Sequence, residues 1–177
     1  IAASLGRWPP DPWYPRFHVR PHINWNNDPC APFFYNGTYH LLFIYNPNGT
    51  TIPSHNAVWG HAVSADLVFW RLLPTALSPD QPFDGHAIYT GSATLVDGAP
   101  VLQYSIDGNS LVNLAYPRDV GDPDLVEWDQ VGHAFPINNP VIRRPPDRNG
   151  FRDPSTAWQL ANGTWQMVVG RSEEHTS

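Results

Sequence analysis

The sequence is poor in cysteine, in basic clusters and in long apolar runs, and each shortage excludes a class of protein. A single cysteine, Cys30, excludes an intramolecular disulfide and a cysteine-based zinc site. The net charge is −6 and no cluster of basic residues is present, so the sequence offers no surface for the phosphate backbone of a nucleic acid. No apolar run reaches the roughly 18 residues of a membrane span. We therefore expect partners other than nucleic acid or membrane.

Turn-forming and aromatic residues are abundant instead. The 177 residues include 20 Pro, 13 Gly and 8 Trp, and 41% of the chain is hydrophobic. Prolines and glycines scattered at this density predict frequent turns between short strands. We find no convincing helix, although the turn at 121–124 has room for one helical turn. The composition therefore predicts an all-β fold with an aromatic core.

Three dipeptides with strong hairpin propensity divide the chain at nearly regular intervals. Asn36-Gly37, Asp97-Gly98 and Asn162-Gly163 lie 61 and 65 residues apart. Such spacing predicts a repeat of about four strands, which is the size of a β-propeller blade. The flanking strands are predicted at 33–35 with 38–45, at 87–96 with 101–106 and at 151–161 with 164–170, and further strands at 57–64, 66–71 and 110–117.

Residues at equivalent positions of such repeats should share one pocket, because the innermost strand of each blade lines a central channel. Asp28 and Tyr89 each lie 8 residues before their turn, and Asp153 lies 9 residues before its turn. Each aspartate precedes a proline, which alone would indicate ordinary turn chemistry. Because the two Asp-Pro pairs occupy equivalent positions, and because Arg152 should keep Asp153 ionised, we expect a functional carboxylate pair. Paired carboxylates in an aromatic pocket are what glycoside hydrolysis requires.

Five segments, in order, resemble motifs of glycoside hydrolase family 32, the invertases and fructan-active enzymes. They are FHVRPHINWNNDPCAP at 17–32, YHLLFIYNP at 39–47, WGHAVSADLVFW at 59–70, YTGSAT at 89–94 and FRDPSTAW at 151–158. The corresponding family motifs are W-M-N-D-P-N-G, Y-H-L-F-Y-Q-Y-N-P, W-G-H-x-x-S-x-D-L-x-x-W, W-S-G-S-A-T and F-R-D-P. The resemblance extends over nearly the whole chain, from about residue 17 to residue 170.

The resemblance implies the N-terminal part, about half, of a five-bladed β-propeller without the β-sandwich that follows it in the family. Residues 1–20 are then expected to form an extended lead-in and residues 21–170 an incomplete propeller. Residues 171–177 look like a non-native tail, of the kind that a sequencing adapter produces. The chain begins with Ile1 and shows no signal peptide, so a processed form and a fragment are both open.

The resemblance also implies roles for individual residues. Asp28 would be the nucleophile that forms a covalent fructosyl-enzyme, and Asp153 would stabilise the transition state. The fructose-binding residues would be Trp25, Asn27, Tyr89, Thr90 and Arg152. The implied reaction is retaining cleavage of terminal β-D-fructofuranosyl bonds of sucrose or fructans, and it needs no metal or organic cofactor.

Departures from the family pattern leave the activity open. The acid/base glutamate of the family lies well downstream of R-D-P, and the few glutamates present, Glu127, Glu173 and Glu174, do not fit that position. We therefore expect the acid/base to be absent from this chain and the chain alone to be inactive or nearly so. Ile44 replaces a glutamine that usually contacts substrate. A fructosyltransferase and a non-catalytic sugar-binding propeller remain alternatives.

Smaller features give further expectations. Asn36, Asn48 and Asn162 each begin an Asn-Gly-Thr sequon, which is compatible with a secreted or vacuolar glycoprotein. Cys30 is expected to be a small buried hydrophobe, and His61 to make a hydrogen bond in the core. The tryptophans expected to pack between sheets are Trp59, Trp70, Trp128, Trp158 and Trp165.

Overall fold

The computed structural model describes residues 12–13, 18–53, 55–106, 111–132, 138–144 and 150–171, which form strands and turns and contain no helix. The strands are β1 (Trp25–Tyr35), β2 (Thr38–Asn46), β3 (Val58–Ser64), β4 (Arg71–Leu77), β5 (Ile88–Val96), β6 (Ala99–Ile106), β7 (Val112–Pro117), β8 (Trp128–Asp129), β9 (Phe151–Pro154), β10 (Trp158–Gln159), β11 (Trp165–Gln166) and β12 (Val169–Arg171). The all-β prediction is confirmed. Most of the expected lead-in and tail lies outside the described residues.

Two antiparallel sheets of four strands follow one another along the chain. Their strand orders are β1-β2-β3-β4 and β5-β6-β7-β8, so each sheet is a simple meander. The predicted turns at Asn36-Gly37 and Asp97-Gly98 connect the first two strands of each sheet. The predicted repeat of about four strands is thus confirmed, and the two sheets are blades of a partial β-propeller.

The third repeat is less regular than predicted. The turn at Asn162-Gly163 is present, but the strands around it form two short ladders, β9 with β12 and β10 with β11. Between the ladders, Ser155 donates its N–H to the carbonyl of Val168 and accepts the Val168 N–H with its hydroxyl. A side chain here replaces a backbone acceptor, and this interrupts the hairpin that the sequence predicts as continuous.

The prediction of a strand at 66–71 is wrong, because residues 66–70 form a tight turn before β4. The Ser64 hydroxyl accepts the N–H groups of Asp66 and Leu67, and the Asp66 carboxylate accepts those of Val68 and Phe69. Short polar side chains that bond nearby backbone groups compete with strand pairing. The extended strand therefore begins only at position 71.

The segment 118–126, which we call the inter-blade loop, leaves the second blade and contacts the first. It contains no helical turn at 121–124, because the Asp122 carboxylate accepts the N–H groups of Asp124 and Val126 and holds the chain in consecutive turns. Asp124 forms an ion pair of 2.7 Å with Arg71, and the Tyr35 hydroxyl donates to the Val120 carbonyl at 2.8 Å. The loop therefore ties the second blade to the first and last strands of the first blade.

Aromatic side chains fill the space between the two blades. Trp59 is fully buried, meets Tyr104 edge to face, and donates its indole N–H to the Tyr89 carbonyl at 3.1 Å. Trp128 is also buried, as predicted, and Trp70 is partly buried. The prediction is wrong for Trp158 and Trp165, which are 45% and 44% exposed on β10 and β11.

Two buried histidines join the middle strands of the first blade. His40 on β2 and His61 on β3 are at most 1% exposed, and their ring nitrogens lie 3.0 Å apart. The predicted core hydrogen bond of His61 is confirmed. Phe33 stacks on the His40 ring with 4.6 Å between ring centroids, so the imidazole pair is covered by hydrocarbon.

Candidate active site

A cleft of ≈ 510 Å³ lies where β1, β5 and β9 of the three successive sheets approach one another. This volume is typical of sites for small ligands, which measure about 300–1,000 Å³. The lining residues are Trp25, Asn27, Asp28, Ile44, Ile52, Tyr89, Thr90, Ser105, Ile106, Gly150, Arg152 and Asp153. The structure therefore brings together, in one cleft, all seven of the residues that the sequence predicts for the site.

A β-bulge interrupts the first strand of each sheet at the position that faces the cleft. In β1, Asn27 and Pro29 pair with consecutive residues of β2, which leaves Asp28 without a partner in the ladder. In the same way, Thr90 is skipped in the pairing of β5 with β6, and Asp153 in the pairing of β9 with β12. Bulges re-aim side chains and are common beside functional sites. Here a β-bulge in each of the three sheets supplies one polar side chain to the cleft.

The bulges correct one detail of the sequence prediction. Counting back from the turns makes Tyr89 the equivalent of Asp28, whereas the bulge in β5 lies at Thr90. The reason is a second irregularity in β1, between Cys30 and Phe33, which adds one residue between the first bulge and the turn. The equivalent positions are therefore 28, 90 and 153.

Asp28 is held by a neighbouring blade. The Thr90 hydroxyl donates a hydrogen bond of 2.6 Å to Oδ2 of Asp28. Hydrogen bonds to a carboxylate of this length are charge-assisted and stronger than neutral ones. The second blade thus fixes the orientation of a carboxylate that the first blade supplies.

Cys30, two residues after Asp28, is fully buried, and its sulfur lies 3.4 Å from the Asp28 carbonyl oxygen. Burial, with a smaller contribution from the Asp28 charge, raises the pKa of the Cys30 thiol to about 12. The thiol is therefore protonated and unreactive at ordinary pH. The predicted role of Cys30 as a small buried hydrophobe is confirmed.

Asp153 has an unusual backbone and a raised pKa. Its φ is +60°, in the left-handed region, and its N–H donates to the Ser105 hydroxyl at 2.8 Å. Desolvation raises the pKa of the Asp153 carboxyl; Arg152 lowers it, and the Asp28 charge raises it further. The net direction is upward, so Arg152 does not hold this carboxylate as strongly ionised as the sequence predicts.

The effect of Arg152 on the pKa of Asp153 is small for a geometric reason. The Nε of Arg152 lies 3.5 Å from Oδ2 of Asp153, and the two side chains are 64% and 46% exposed. Water screens an ion pair this open, and such pairs contribute little. The guanidinium remains at the cleft with donors available for hydroxyl groups.

Part of the cleft lining is apolar. It is formed by Ile44, Ile52 and Ile106 together with the rings of Trp25 and Tyr89. Carboxylates and apolar or aromatic side chains in one cleft suit a ligand that carries both hydroxyl groups and C–H groups. A sugar ring has that chemistry.

The sequence model of the protein family "Glycosyl hydrolases family 32 N-terminal domain" matches residues 18–177. The chain belongs to glycosyl hydrolase family 32. The family resemblance of the motifs is thereby confirmed, and so is the partial β-propeller as the fold of this family's N-terminal domain.

Curated relatives and solved structures of family 32 agree with this assignment. The chain is 44% identical over 160 residues to an acid beta-fructofuranosidase of Vicia faba, and 45% identical over 160 residues to acid beta-fructofuranosidase 4, vacuolar, of Arabidopsis thaliana. Each match covers 87% of this chain, and 24% and 23% of the relatives. The crystal structure of fructan 1-exohydrolase IIa from Cichorium intybus matches with a TM-score of 0.81 and 38% identity, over 90% of this chain and 30% of that chain. This family 32 chain thus spans about a quarter of the length of those relatives.

Sequence reasoning missed Ile52, Ser105, Ile106 and Gly150 as lining residues. Ser105 is the informative miss, because it is 1% exposed and yet polar, within the buried strand β6. Ser105 follows Gln103 and Tyr104 in a strand that is otherwise apolar, and this is the signal that could have found it, since a buried hydroxyl needs a hydrogen-bond partner. Among the described residues, no group of three or more His, Cys, Asp or Glu is placed to hold a metal ion. No helix there is long and apolar enough to cross a membrane.

Proposed function

We propose that this chain supplies the nucleophile and the transition-state stabiliser of a glycoside hydrolase that cleaves terminal β-D-fructofuranosyl bonds of sucrose or fructans with retention of configuration. The observation that carries the proposal is that Asp28 and Asp153, 125 positions apart, line one cleft together with the aromatic residues Trp25 and Tyr89. The membership in family 32 and the names of the relatives support it.

Asp28 is assigned the covalent step. One of its carboxylate oxygens forms a bond to the anomeric carbon of the fructosyl unit as the bond to the leaving oxygen breaks. Because Oδ2 already accepts the hydrogen bond of Thr90, we assign the attack to Oδ1. Water then attacks the same carbon and releases Asp28, and two displacements at one carbon give overall retention.

Asp153 and Arg152 are assigned to binding and charge stabilisation. The Asp153 carboxylate accepts hydrogen bonds from fructose hydroxyls and stabilises the positive charge that develops on the ring, while the Arg152 guanidinium donates to hydroxyls. Trp25, Tyr89 and Asn27 complete the fructose subsite, with the rings against the C–H face of the sugar.

Leaving-group protonation is assigned to a residue beyond those described. Glu127 is exposed and does not line the cleft. General acid catalysis contributes roughly 10²- to 10⁴-fold. We therefore expect the 177-residue chain by itself to turn over very slowly or not at all.

Two observations bear on the cellular location of the protein. All three sequon asparagines, Asn36, Asn48 and Asn162, are exposed. One relative is named as vacuolar. We propose a secreted or vacuolar location on these two grounds. A mass shift that is removed by an N-glycosidase, in the protein isolated from its own tissue, would support it.

The experiment that tests the activity needs a form of the enzyme that can protonate the leaving group. We define the extended enzyme as residues 1–170 followed by the part of the Vicia faba enzyme beyond the matched segment. Incubation with sucrose should release glucose and fructose. With an activated fructosyl donor, mass spectrometry should find a fructosyl adduct at Asp28.

The decisive variant is Asp28→Asn, which should abolish both turnover and adduct. Asp97→Asn is the matched control, because it makes the same substitution in an exposed hairpin turn where Asn is equally suited. Turnover retained by Asp28→Asn would overturn the proposal. Accumulation of fructosyl-sucrose would indicate the fructosyltransferase alternative, and sugar binding without an adduct would indicate the non-catalytic one.

A further inference from the structure

Asp153 lies in a backbone conformation that its own sheet does not fix. Its φ of +60° is in the left-handed region, which residues with a side chain rarely adopt. It is also the residue skipped in the pairing of β9 with β12. A strained, bulged residue at a functional site persists only when the surroundings hold it in place. The question is which groups do so.

Ser105 supplies one of the two contacts that hold this segment. Its hydroxyl oxygen accepts the Asp153 N–H at 2.8 Å. Its own backbone is fixed on both sides, because β6 pairs with β5 through Tyr89 and with β7 through Val112. Ser105 is 1% exposed. A buried hydroxyl on the middle of a sheet is therefore a rigid acceptor.

Ser92 supplies the second contact, one residue further along the chain. Its hydroxyl donates to the Pro154 carbonyl at 2.7 Å. The two serines thus bracket the Asp153-Pro154 dipeptide, one as acceptor and one as donor. Further along, Thr156 donates to the Ala93 carbonyl at 3.0 Å, which continues the seam between the second blade and the third sheet.

The carboxylate of Asp153 cannot be held equally well through its own oxygens. Its side chain is half-exposed, and the Arg152 guanidinium lies 3.5 Å away. The direction of the side chain is set by the backbone from which it projects. The backbone contacts of Asp153 consequently matter more for its aim than the ion pair does.

We propose that Ser105 is a positioning residue for Asp153: its hydroxyl holds the left-handed, bulged backbone that aims the Asp153 carboxylate into the cleft, and Ser92 assists at the next carbonyl. The inference rests on the proposed function for its catalytic consequence, while the contact itself can be tested without activity. In this arrangement the second blade serves both aspartates, since Thr90 orients Asp28 and Ser105 orients Asp153.

The catalytic test compares Ser105→Ala with Ser105→Thr in the extended enzyme. Ser105→Ala should lower kcat about tenfold or more and change KM less, because Asp153 acts mainly in the transition state. Ser105→Thr keeps the acceptor oxygen and should restore most of kcat. Ser64→Ala is the matched control, because Ser64 is equally buried in a middle strand but bonds the turn at 66–67, away from the cleft. It should reduce stability and leave kcat unchanged.

The structural test uses the 177-residue chain and measures amide hydrogen exchange at Asp153 by NMR. Exchange should accelerate in Ser105→Ala and remain slow in Ser105→Thr and Ser64→Ala. If Ser105→Ala does not fold, Ser105→Cys has a side chain of nearly the same size with a weaker acceptor, and it should give the same changes in smaller measure.

Any of three results would overturn the proposal. The first is an unchanged exchange rate at Asp153 in Ser105→Ala, which would show that the hydroxyl does not hold the backbone. The second is faster exchange at Asp153 with a wild-type kcat. The third is a loss of kcat in Ser105→Ala that Ser105→Thr does not restore. Failure of the proposed function would instead show as an inactive unsubstituted enzyme or an active Asp28→Asn variant, and the exchange measurement would still decide the contact.

Discussion

The hydroxyl of Thr90 lies 2.6 Å from Oδ2 of Asp28, although the two residues are 62 positions apart and belong to different blades. Both residues occupy a bulge in the first strand of their sheet. The contact therefore depends on two local irregularities, one in each blade, that bring the two side chains together at the cleft. The orientation of the Asp28 carboxylate therefore depends on how the two blades pack against each other.

Removal of the Thr90 hydroxyl should impair the reaction without disturbing the fold. Thr90→Val keeps the shape and β-branching of the side chain and removes only the donor. A hydrogen bond to a charged group contributes about 1.5–3 kcal/mol. We therefore expect kcat/KM of the extended enzyme to fall about 10- to 100-fold. The measurement is steady-state hydrolysis of sucrose.

Thr90→Ser is the control for this prediction. It retains a hydroxyl on the same bulge and should stay within a few-fold of the unsubstituted enzyme. The family motif has serine at this position, which fits the expectation. A Thr90→Val variant as active as Thr90→Ser would show that the contact has no part in catalysis.

Arg152 should affect the pH dependence of activity more than stability. The pKa of Asp153 is raised in the folded protein, and Arg152 is the group that lowers it. Replacing Arg152 with Gln removes a cation, so the pKa of Asp153 should rise further. Because the proposed role of Asp153 needs its ionised form, the acid limb of the kcat/KM profile should move to higher pH.

The comparison for this prediction is Arg152→Lys, which keeps a positive charge and should leave the acid limb nearly in place. Stability should change little in either variant, since the pair is half-exposed. If the acid limb of Arg152→Gln moves to lower pH or stays where it is, then Arg152 does not set the ionisation of Asp153.

The parts of the fold that the sequence predicts well are those that local chemistry decides. Asn36 and Asp97 adopt φ values of +45° and +50°, as the first residue of a tight hairpin turn requires, and each is followed by glycine. Such a turn fixes the pairing of its two strands by itself. The strand predicted at 66–71 fails for an equally local reason, because Ser64 and Asp66 capture the backbone donors.

The bulges could not be predicted, because they depend on how each strand pairs with its neighbour. The Asp-Pro pairs identify positions 28 and 153. Nothing in the sequence near Thr90 indicates that this residue is skipped in the pairing of β5 with β6. The need for glycine at position 91 is visible only in the structure, because a Cβ there would overlap the carbonyl oxygen of Gln103 on β6. Trp158 illustrates the same limit, because the burial of an aromatic residue on a strand depends on what packs over that face.

The buried pair of His40 and His61 predicts a loss of stability in acid. Burial lowers the pKa of His40 to about 4, and burial together with the neighbouring imidazole lowers that of His61 to about 3. Asp124 and Asp122 of the inter-blade loop act in the opposite direction on His40, and burial outweighs them. Both imidazoles are therefore neutral in the folded protein at pH values where they would be charged in the unfolded chain.

The direction of the effect follows from proton uptake on unfolding. Below the unfolded pKa of about 6.5 the unfolded chain binds protons that the folded protein does not. The free energy of unfolding should be at its full value above pH 6.5 and should fall as the pH decreases from 6.5 toward 4. Each imidazole can contribute at most about 1.4 kcal/mol per pH unit in this range.

Urea unfolding of the chain at several pH values between 7.5 and 4.5 measures this slope. His40→Gln removes one titrating ring and keeps a side chain that can hydrogen-bond to His61. It should lower stability at neutral pH and make the decline toward acid shallower by one imidazole's share. His18→Gln removes an exposed imidazole and serves as the matched control. If His40→Gln loses stability between pH 6.5 and 4.5 as steeply as the unsubstituted chain, the buried pair is not the source of the acid sensitivity.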